Sequence, residues 1–353
     1  MINNTILYSL KVIIFTFLVS LLSVFIVKKI AYHVHAIDIP NERKVHTKEM
    51  PRLGGLAIFI AFLTGYMFFG DMTKEMNSIL IGSFIILLTG IIDDINPLEA
   101  KHKLIGEILS ASSIVFYGNI LLSNITFFGL NIEFGILAFP ITLIFIVACM
   151  NIINLIDGLD GLATGISSIF FATIIIICFF QGRTIGLDYN LTLIMLGSTL
   201  GFLVHNFYPA KIFLGDTGSL FLGFIISIIS LLGFKGTILT SVFIPLLLLA
   251  IPILDTMFAI LRRIVHHQKV TEADKLHLHH QLLGMKFSHR NTVLIIYAVN
   301  ILFAIASIFY LLGEEINIYL RIGIYIVLFI LVFWFVNKTN IVTEKQIKLP
   351  HKK

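Results

Sequence analysis

Four groups of polar side chains interrupt an otherwise apolar sequence, and their residue types suit the chemistry of phosphates and divalent cations. They are Asp93-Asp94, the run Asn151–Leu162, the run Phe213–Ser219 and a histidine cluster made of His277, His279 and His280. Carboxylates and carboxamides are costly in or near a lipid core, so a functional site is the default interpretation where they persist. Asp157 and Asp160, at the mouth of an apolar segment, are the most informative pair.

The Asp93-Asp94 pair is open to two interpretations. Adjacent carboxylates can share a proton, chelate a divalent cation or hold one basic group for proton abstraction. They can equally be the solvated end of a helix. Lys103, ten residues beyond Asp93, is either an ordinary anchor at the membrane surface or a point charge for a phosphate.

The run Asn151–Leu162 carries polar residues at intervals of three. Asn151, Asn154 and Asp157 therefore lie along one face of a helix. Asp160 and two glycines then break the helix and open the backbone to a ligand. Hydrogen bonding between helices and close packing at the glycines explain part of this pattern. They do not explain the two aspartates, which favour a site.

The run Phe213–Ser219 combines an aromatic ring, one acid, two glycines and two hydroxyl groups. Asp216 suits Mg²⁺, which binds few carboxylates together with substrate phosphates, and Phe213 suits stacking on a nucleobase. The same residues can instead cap a helix. Both interpretations can hold at once, because the free N–H groups of a helix N-terminus also favour a phosphate.

Two further groups are basic. The histidine cluster lies near Lys275 and suits a diphosphate better than zinc, because no matching Cys or His spacing is present. Lys44 and His46 belong to a basic loop at residues 40–52. That loop binds either anionic lipid headgroups or the phosphate of a lipid substrate, and electrostatics alone does not separate the two.

The composition predicts that membrane helices position these groups. Of 353 residues, 58% are hydrophobic and 13% charged, with a mean hydropathy of +0.98, whereas soluble domains are about 25% charged. The fold class expected is an all-α polytopic membrane protein, with residues 1–336 as a single transmembrane catalytic domain and residues 337–353 as a basic cytoplasmic tail. Apolar runs predict about eleven helices, at roughly 7–27, 54–70, 77–93, 102–121, 133–151, 162–180, 190–206, 217–233, 239–261, 292–312 and 317–336.

The distribution of Lys and Arg predicts the orientation. Most of the 25 basic residues fall in loops after odd-numbered helices or in the tail, which makes that side cytoplasmic and the N-terminus external. All four polar groups fall on the cytoplasmic side, which indicates an enzyme with its site at the membrane surface. A transporter or flippase for an anionic solute would place its polar groups near the midplane. No basic stripe with interleaved aromatic residues suggests nucleic acid.

Together the four groups resemble those of the polyprenyl-phosphate N-acetylhexosamine-1-phosphate transferases, over nearly the whole chain. The first loop, Asn41–Thr47 followed by Pro51–Gly55, is most similar to bacterial undecaprenyl-phosphate N-acetylglucosamine-1-phosphate transferases of the type that starts wall teichoic acid synthesis. The branch that transfers phospho-MurNAc-pentapeptide usually shows three consecutive histidines, which Leu278 interrupts here.

The resemblance implies a bacterial plasma-membrane enzyme that transfers GlcNAc-1-phosphate from UDP-GlcNAc to undecaprenyl phosphate, with Mg²⁺ or Mn²⁺ as cofactor. The other expected partners are membrane lipids and a second copy in a homodimer. It also implies a role for each candidate residue: Asp216 and Asn154 for the metal; Asn151, Asp157, Asp160 and Phe213 for the nucleotide; Lys103, His277, His279 and His280 for the diphosphate; Asp93, beside Asp94, as the base for the lipid phosphate; Lys44 and His46 as candidates to bind that phosphate. The alternatives are phospho-MurNAc-pentapeptide transfer and transfer from another UDP-N-acetylhexosamine.

Overall fold

The computed structural model describes residues 2–39, 49–127, 130–234, 248–265 and 278–311, together with the single residues 319, 323 and 327. These residues belong to two compact units, Met1–Phe243 and Ile244–Lys353. Helices dominate the described residues of both units, in agreement with the predicted fold class. Whether residues 1–336 act as one catalytic domain stays a prediction.

The first unit contains eight α-helices among its described residues. They are α1 (Ile2–His33), α2 (Gly54–Phe69), α3 (Lys74–Ile95), α4 (Ala100–Ser112), α5 (Ala138–Ile156), α6 (Leu162–Phe180), α7 (Leu187–Asn206) and α8 (Gly215–Phe234). A π-helical turn, Ser113–Tyr117, extends α4, and a 3-10 turn, Gly135–Leu137, precedes α5. Two antiparallel strand pairs complete the unit: β1 (Ile37–Asp38) with β2 (Met50–Pro51), and β3 (Asn124–Phe127) with β4 (Leu130–Glu133).

The second unit contains α9 (Ala250–Val265), α10 (Leu278–Gly284) and α11 (His289–Leu311). Two of its buried polar side chains bind backbone groups of the same unit. The carboxylate of Asp255 accepts a hydrogen bond of 2.8 Å from the N–H of Leu278, at the start of α10. The amide of Asn300 donates to the carbonyl of Leu248 over 3.0 Å.

Seven helices of the described chain are long and apolar enough to cross a membrane, which supports a membrane protein. They are α1, α3, α5, α6, α7, α8 and α11. Helix α2 is apolar but has only 16 residues. The eleven predicted spans are not established, nor is the orientation of the termini, and most of the helix predicted at 317–336 lies outside the described residues.

Helix α8 is the most enclosed of the candidate spans in the first unit. The buried share of its apolar stretch is 89%, against 33% for α1. Helices α2 and α3 pack closely against its first turn, each at a glycine. A Cβ on Gly55 of α2 would lie 2.2 Å from Gly218, and a Cβ on Gly90 of α3 would lie 2.4 Å from Thr217. Because small residues allow helix backbones to approach closely, the turn that carries Asp216 is held in a fixed position.

Candidate functional site

The carboxylate of Asp94 holds the first turn of α8. It accepts hydrogen bonds from the N–H groups of Asp216 and Thr217, both over 3.0 Å, and from the Thr217 hydroxyl over 2.7 Å. The first N–H groups of a helix have no partner within the helix, and negative charge is favoured beside them. The Asp94 side chain is fully buried. Asp94 therefore caps α8 across 122 residues of sequence.

Gly215 allows the Asp94 carboxylate to approach the first turn of α8 this closely. Its φ is +72°, in the left-handed region that glycine adopts at low cost. A Cβ at this position would lie 1.9 Å from the Arg52 carbonyl oxygen and 2.4 Å from the Asp94 carboxylate. Any larger residue would push the first turn of α8 away from its cap.

Arg52 adds a cation to the same place. Its guanidinium lies 3.5 Å from the Asp94 carboxylate, 3.8 Å from that of Asp216 and 3.9 Å from that of Asp38. Burial alone would lower the pKa of Arg52, but the neighbouring carboxylates raise it above its ordinary value. Its position is set by backbone hydrogen bonds on both sides, from Phe213 to Pro51 over 2.8 Å and from Gly54 to Phe213 over 3.0 Å.

Lys103 joins three helices at the centre of the site. Its ammonium donates to the Asn154 amide oxygen over 3.3 Å and to the Asp216 carboxylate, and it lies 4.0 Å from the Asp93 carboxylate. Asp93 is held by the N–H of Leu98, which donates to it over 2.8 Å. Helices α3, α4, α5 and α8 thus each bring one polar side chain to the same point, and the roles predicted for these residues stay predictions.

Asn154 and Asn151 are both held by hydrogen bonds on one face of α5, as their spacing predicted. The Asn154 amide donates to the Ser219 hydroxyl over 2.8 Å, which points its oxygen at Lys103. The Asn151 amide donates to the buried carboxylate of Glu107 over 2.6 Å and to the Val147 carbonyl over 3.0 Å.

The loop after α5 carries the other two acids. Asp157 ends α5, and burial raises its pKa well above the ordinary value, with a further contribution from the carboxylates of Asp216 and Asp94. Asp160 accepts a hydrogen bond of 3.0 Å from the N–H of Ala210, which ties this loop to the one after α7. Asp157 therefore belongs to the electrostatic surroundings of Asp216, whereas Asp160 has a described structural contact.

The structure does not test the predicted phosphate ligands in the loops. Lys44, His46 and His277 lie outside the described residues, and so does the side chain of His279. His280 is exposed on α10 in the second unit. Phe213 is partly exposed, two residues before α8. The roles predicted for these residues stay predictions.

Sequence reasoning did not single out Arg52 or Glu107. Arg52 looked like one more positive charge in a cytoplasmic loop. Glu107 offered a signal that was overlooked: it follows Lys103 by four residues, so the two share a helix face, and it is a carboxylate on a helix whose other face is apolar.

The donor set fits a hard divalent cation. Three oxygen-bearing side chains, those of Asp93, Asp216 and Asn154, surround the Lys103 ammonium, so a positive charge is already favoured at this point. Among the described residues, no group of three or more His, Cys, Asp or Glu side chains is placed to hold a metal ion. Two carboxylates and one amide suit Mg²⁺, which binds few protein ligands and completes its shell with water and substrate phosphates.

Comparison with known proteins points to one group of transferases. Residues 76–234 match the glycosyl transferase family 4. A probable undecaprenyl-phosphate N-acetylglucosaminyl 1-phosphate transferase of Bacillus subtilis (strain 168) is 44% identical over 340 residues, 94% of each chain. A decaprenyl-phosphate N-acetylglucosaminephosphotransferase of Mycobacterium leprae (strain TN) is 33% identical, over 76% of this chain and 75% of the relative. A phospho-N-acetylmuramoyl-pentapeptide-transferase of Borreliella burgdorferi (strain ZS7) is 28% identical, over 84% and 92%.

Proposed function

Because the chain belongs to glycosyl transferase family 4, together with polyprenyl-phosphate GlcNAc-1-phosphate transferases, we propose that it transfers GlcNAc-1-phosphate from UDP-GlcNAc to undecaprenyl phosphate. The products are undecaprenyl-diphospho-GlcNAc and UMP. The observation that carries the proposal is the convergence of Asp93, Asn154 and Asp216 on the ammonium of Lys103. The higher identity to the relatives named for GlcNAc-phosphate transfer favours this donor over UDP-MurNAc-pentapeptide.

The chemical step requires placement more than proton transfer. An oxygen of the lipid phosphate attacks the phosphorus that carries the sugar, and the bond from that phosphorus to the bridging oxygen breaks, so that UMP leaves with this oxygen. A phosphate monoester has a second pKa near 6, so the lipid phosphate is largely a dianion at neutral pH and already a nucleophile. The protein must hold it in line with the leaving group and neutralise the charge on the diphosphate.

Each residue of the cluster has a role in this proposal. Lys103 neutralises charge on the diphosphate, and the Arg52 guanidinium holds the carboxylates of Asp94 and Asp216 in place. Asp93 lines the site beside Lys103, where it positions the incoming phosphate or takes a proton from its monoanion. Asp94 acts through α8, because its carboxylate is occupied by the Asp216 and Thr217 N–H groups.

Asp216 and Asn154 would hold Mg²⁺ in this proposal, with Asp93 beside them. A bound Mg²⁺ supplies charge neutralisation at the diphosphate oxygens. Asn151, Asp157, Asp160 and Phe213 are proposed to face the nucleotide. Lys44, His46 and the histidine cluster are proposed phosphate ligands that the loops contribute.

We place this reaction on the cytoplasmic face of the bacterial plasma membrane, as the first membrane step of a cell-envelope polymer, and favour teichoic acid. Support comes from the basic residues of the loops that carry the polar groups, and from the resemblance of the first loop to transferases of that type.

The test is turnover by the purified protein with labelled UDP-GlcNAc, undecaprenyl phosphate and Mg²⁺. We expect UMP release that requires both the lipid and the cation. A panel of UDP-sugars assayed in parallel identifies the donor. Preferred turnover of UDP-MurNAc-pentapeptide would assign the chain to that reaction, and uptake of an intact anionic solute into vesicles without UMP release would indicate a transporter.

A further inference from the structure

Glu107 is a buried carboxylate that the proposed reaction does not use. Only 2% of the residue is exposed, although α4 as a whole turns an apolar face outward. The exposed face consists of Leu104, Ile105, Ile108 and Leu109, whereas the buried face consists of Gly106, Glu107, Ser110 and Ala111. Glu107 is therefore the one long side chain among the buried residues of α4.

The small residues of this face bind α4 to α3. A Cβ on Gly106 would lie 2.2 Å from the Thr89 hydroxyl, and the Ser110 hydroxyl donates to the Gly82 carbonyl over 2.9 Å. Glu107 points elsewhere, since its carboxylate accepts the 2.6 Å hydrogen bond from Asn151 of α5. The contact with α5 is thus separate from the packing of α4 on α3.

Two side-chain hydrogen bonds join α4 to α5 within the described part of the chain. One runs from Lys103 to Asn154 and belongs to the candidate site. The other runs from Asn151 to Glu107. Lys103 and Glu107 are four residues apart on α4, and Asn151 and Asn154 are three apart on α5, so the two bonds lie about one helical turn from each other.

Stability does not account for a carboxylate at this position. A buried charge loses its hydration, and a neutral amide partner compensates for little of that loss. The positive charge of Lys103 acts on Glu107, but Lys103 is itself bound to Asp216 and Asn154. The unfavourable free energy of burying the Glu107 carboxylate is explained if its hydrogen bond with Asn151 holds the residues of the site in position.

We propose that Glu107 is a positioning residue: through Asn151 it fixes α4 against α5 one turn from the site, and thereby places the Lys103 ammonium against Asn154 and Asp216. The inference rests on the proposed function for its kinetic readout. It also changes the interpretation of Asn151. Both N–H donors of its amide are used by Glu107 and Val147, so only the carbonyl oxygen is left to meet a substrate donor.

The test compares two substitutions of Glu107 in the full-length protein, assayed by lipid-dependent UMP release with the UDP-sugar that the wild type turns over. Glu107→Met keeps the length but loses the acceptor, and we expect kcat to fall about tenfold or more, because small misplacements of catalytic groups are costly. We expect KM for the UDP-sugar to change less than about twofold and the melting temperature not to fall. Glu107→Gln keeps an acceptor for Asn151, and should retain kcat within about threefold.

Two further variants complete the experiment. Asn151→Leu should lower kcat as Glu107→Met does, and the double variant should be no slower than either single one, because both remove the same contact. Glu99→Gln, on the exposed start of α4, is the matched control and should leave kcat unchanged.

Three results would overturn the inference: a kcat of Glu107→Met within about twofold of the wild type, an equal loss in Glu107→Gln and Glu107→Met, or additive losses in the double variant. If Glu107→Met does not fold, Glu107→Gln and Asn151→Ser decide, since the inference requires the first to be active and the second to be slow. A wild type that turns over no UDP-sugar defeats the proposed function instead. An active wild type with unaffected variants defeats only the role of Glu107.

Discussion

The two ends of α3 are both polar, but they are polar in different ways. At its start, the Thr73 hydroxyl accepts a hydrogen bond from the Met76 N–H over 3.1 Å. The contacts nearby include the 2.7 Å bond from the Tyr66 hydroxyl to the Asp71 carbonyl and the Lys74 ammonium over the Tyr117 ring, 5.7 Å from its centroid, and neither contact pairs two charges. At its end, Asp94 meets the guanidinium of Arg52 and Asp93 meets the ammonium of Lys103. Helix termini require caps at both ends, yet buried charge accumulates at only one.

This difference between the two ends of α3 separates the contacts that stabilise the fold from the charges that form the candidate site. A neutral hydroxyl is enough to cap the start of α3, and Asp94 accepts hydrogen bonds from two N–H groups in the first turn of α8. Asp93, Asp216 and Lys103 go beyond any capping requirement. Since buried charges destabilise unless they are well paired, their convergence indicates function, and predictions for the two ends should differ accordingly.

Asp216→Asn should give the largest effect. The substitution keeps size and shape but removes the charge that Lys103 and Arg52 face, so we expect lipid-dependent UMP release to fall about 10²–10³-fold, with little change in the melting temperature. The matched control is Asp188→Asn near the start of α7, whose carboxylate pairs with Arg183, and this variant should remain active within about twofold. Near-normal turnover by Asp216→Asn would end the assignment of this cluster as the active site.

The two caps should differ in their contribution to stability. Asp94→Ala leaves two N–H groups of α8 without their acceptor in a buried place and removes the nearest carboxylate from the Arg52 guanidinium, and should cost about 3–5 kcal/mol in the free energy of unfolding. Thr73→Ala removes one neutral cap and should cost about 1 kcal/mol. Denaturant unfolding in detergent measures both. Equal losses would show that Asp94 is an ordinary cap.

Lys103→Met should separate the binding of a cation from catalysis. The ammonium occupies the point where Asp93, Asn154 and Asp216 offer oxygens, so without it a divalent cation no longer competes with a fixed positive charge. We expect Mn²⁺ to bind at least as tightly as to the wild type in the absence of substrate, while turnover falls about 10²-fold because the diphosphate loses a counter-charge.

Mn²⁺ titration followed by electron paramagnetic resonance measures this binding. Lys101→Met is the control, because Lys101 pairs with Glu99 at an exposed position and should leave both quantities unchanged. Weaker Mn²⁺ binding in Lys103→Met would contradict the idea that the two cations share one place.

The sequence singled out four residues that meet in the cluster, because acids and amides in apolar helices have few structural reasons to be there. Asp93, Lys103, Asn154 and Asp216 come from four different helices and still converge. The number of helices long enough to span a membrane was predicted less accurately than these residues. Apolar runs show where helices lie, but α2 and α4 are shorter than a full span.

The roles of individual residues were harder to predict, for geometric reasons. Asp93 and Asp94 looked like one pair, yet consecutive residues point about 100° apart around a helix, so one faces Lys103 and the other caps α8. Arg52 resembled a loop charge until its contacts with Asp94 and Asp216 were seen. The burial of Glu107 depends on the neighbouring α5, which is a tertiary contact that no local pattern records.

The smallest effect is expected at the Arg183–Asp188 ion pair, which lies at the start of α7. Its atoms are 2.8 Å apart, but both side chains keep contact with solvent and lie five residues apart in sequence. Arg183→Ala should therefore change the free energy of unfolding by about 0.2–1 kcal/mol, and less at high salt, because exposed pairs are screened. Turnover should stay at the wild-type level. A loss of activity at unchanged stability would show that this pair also serves catalysis. The charges that serve the proposed reaction would then not be confined to the cluster at Lys103.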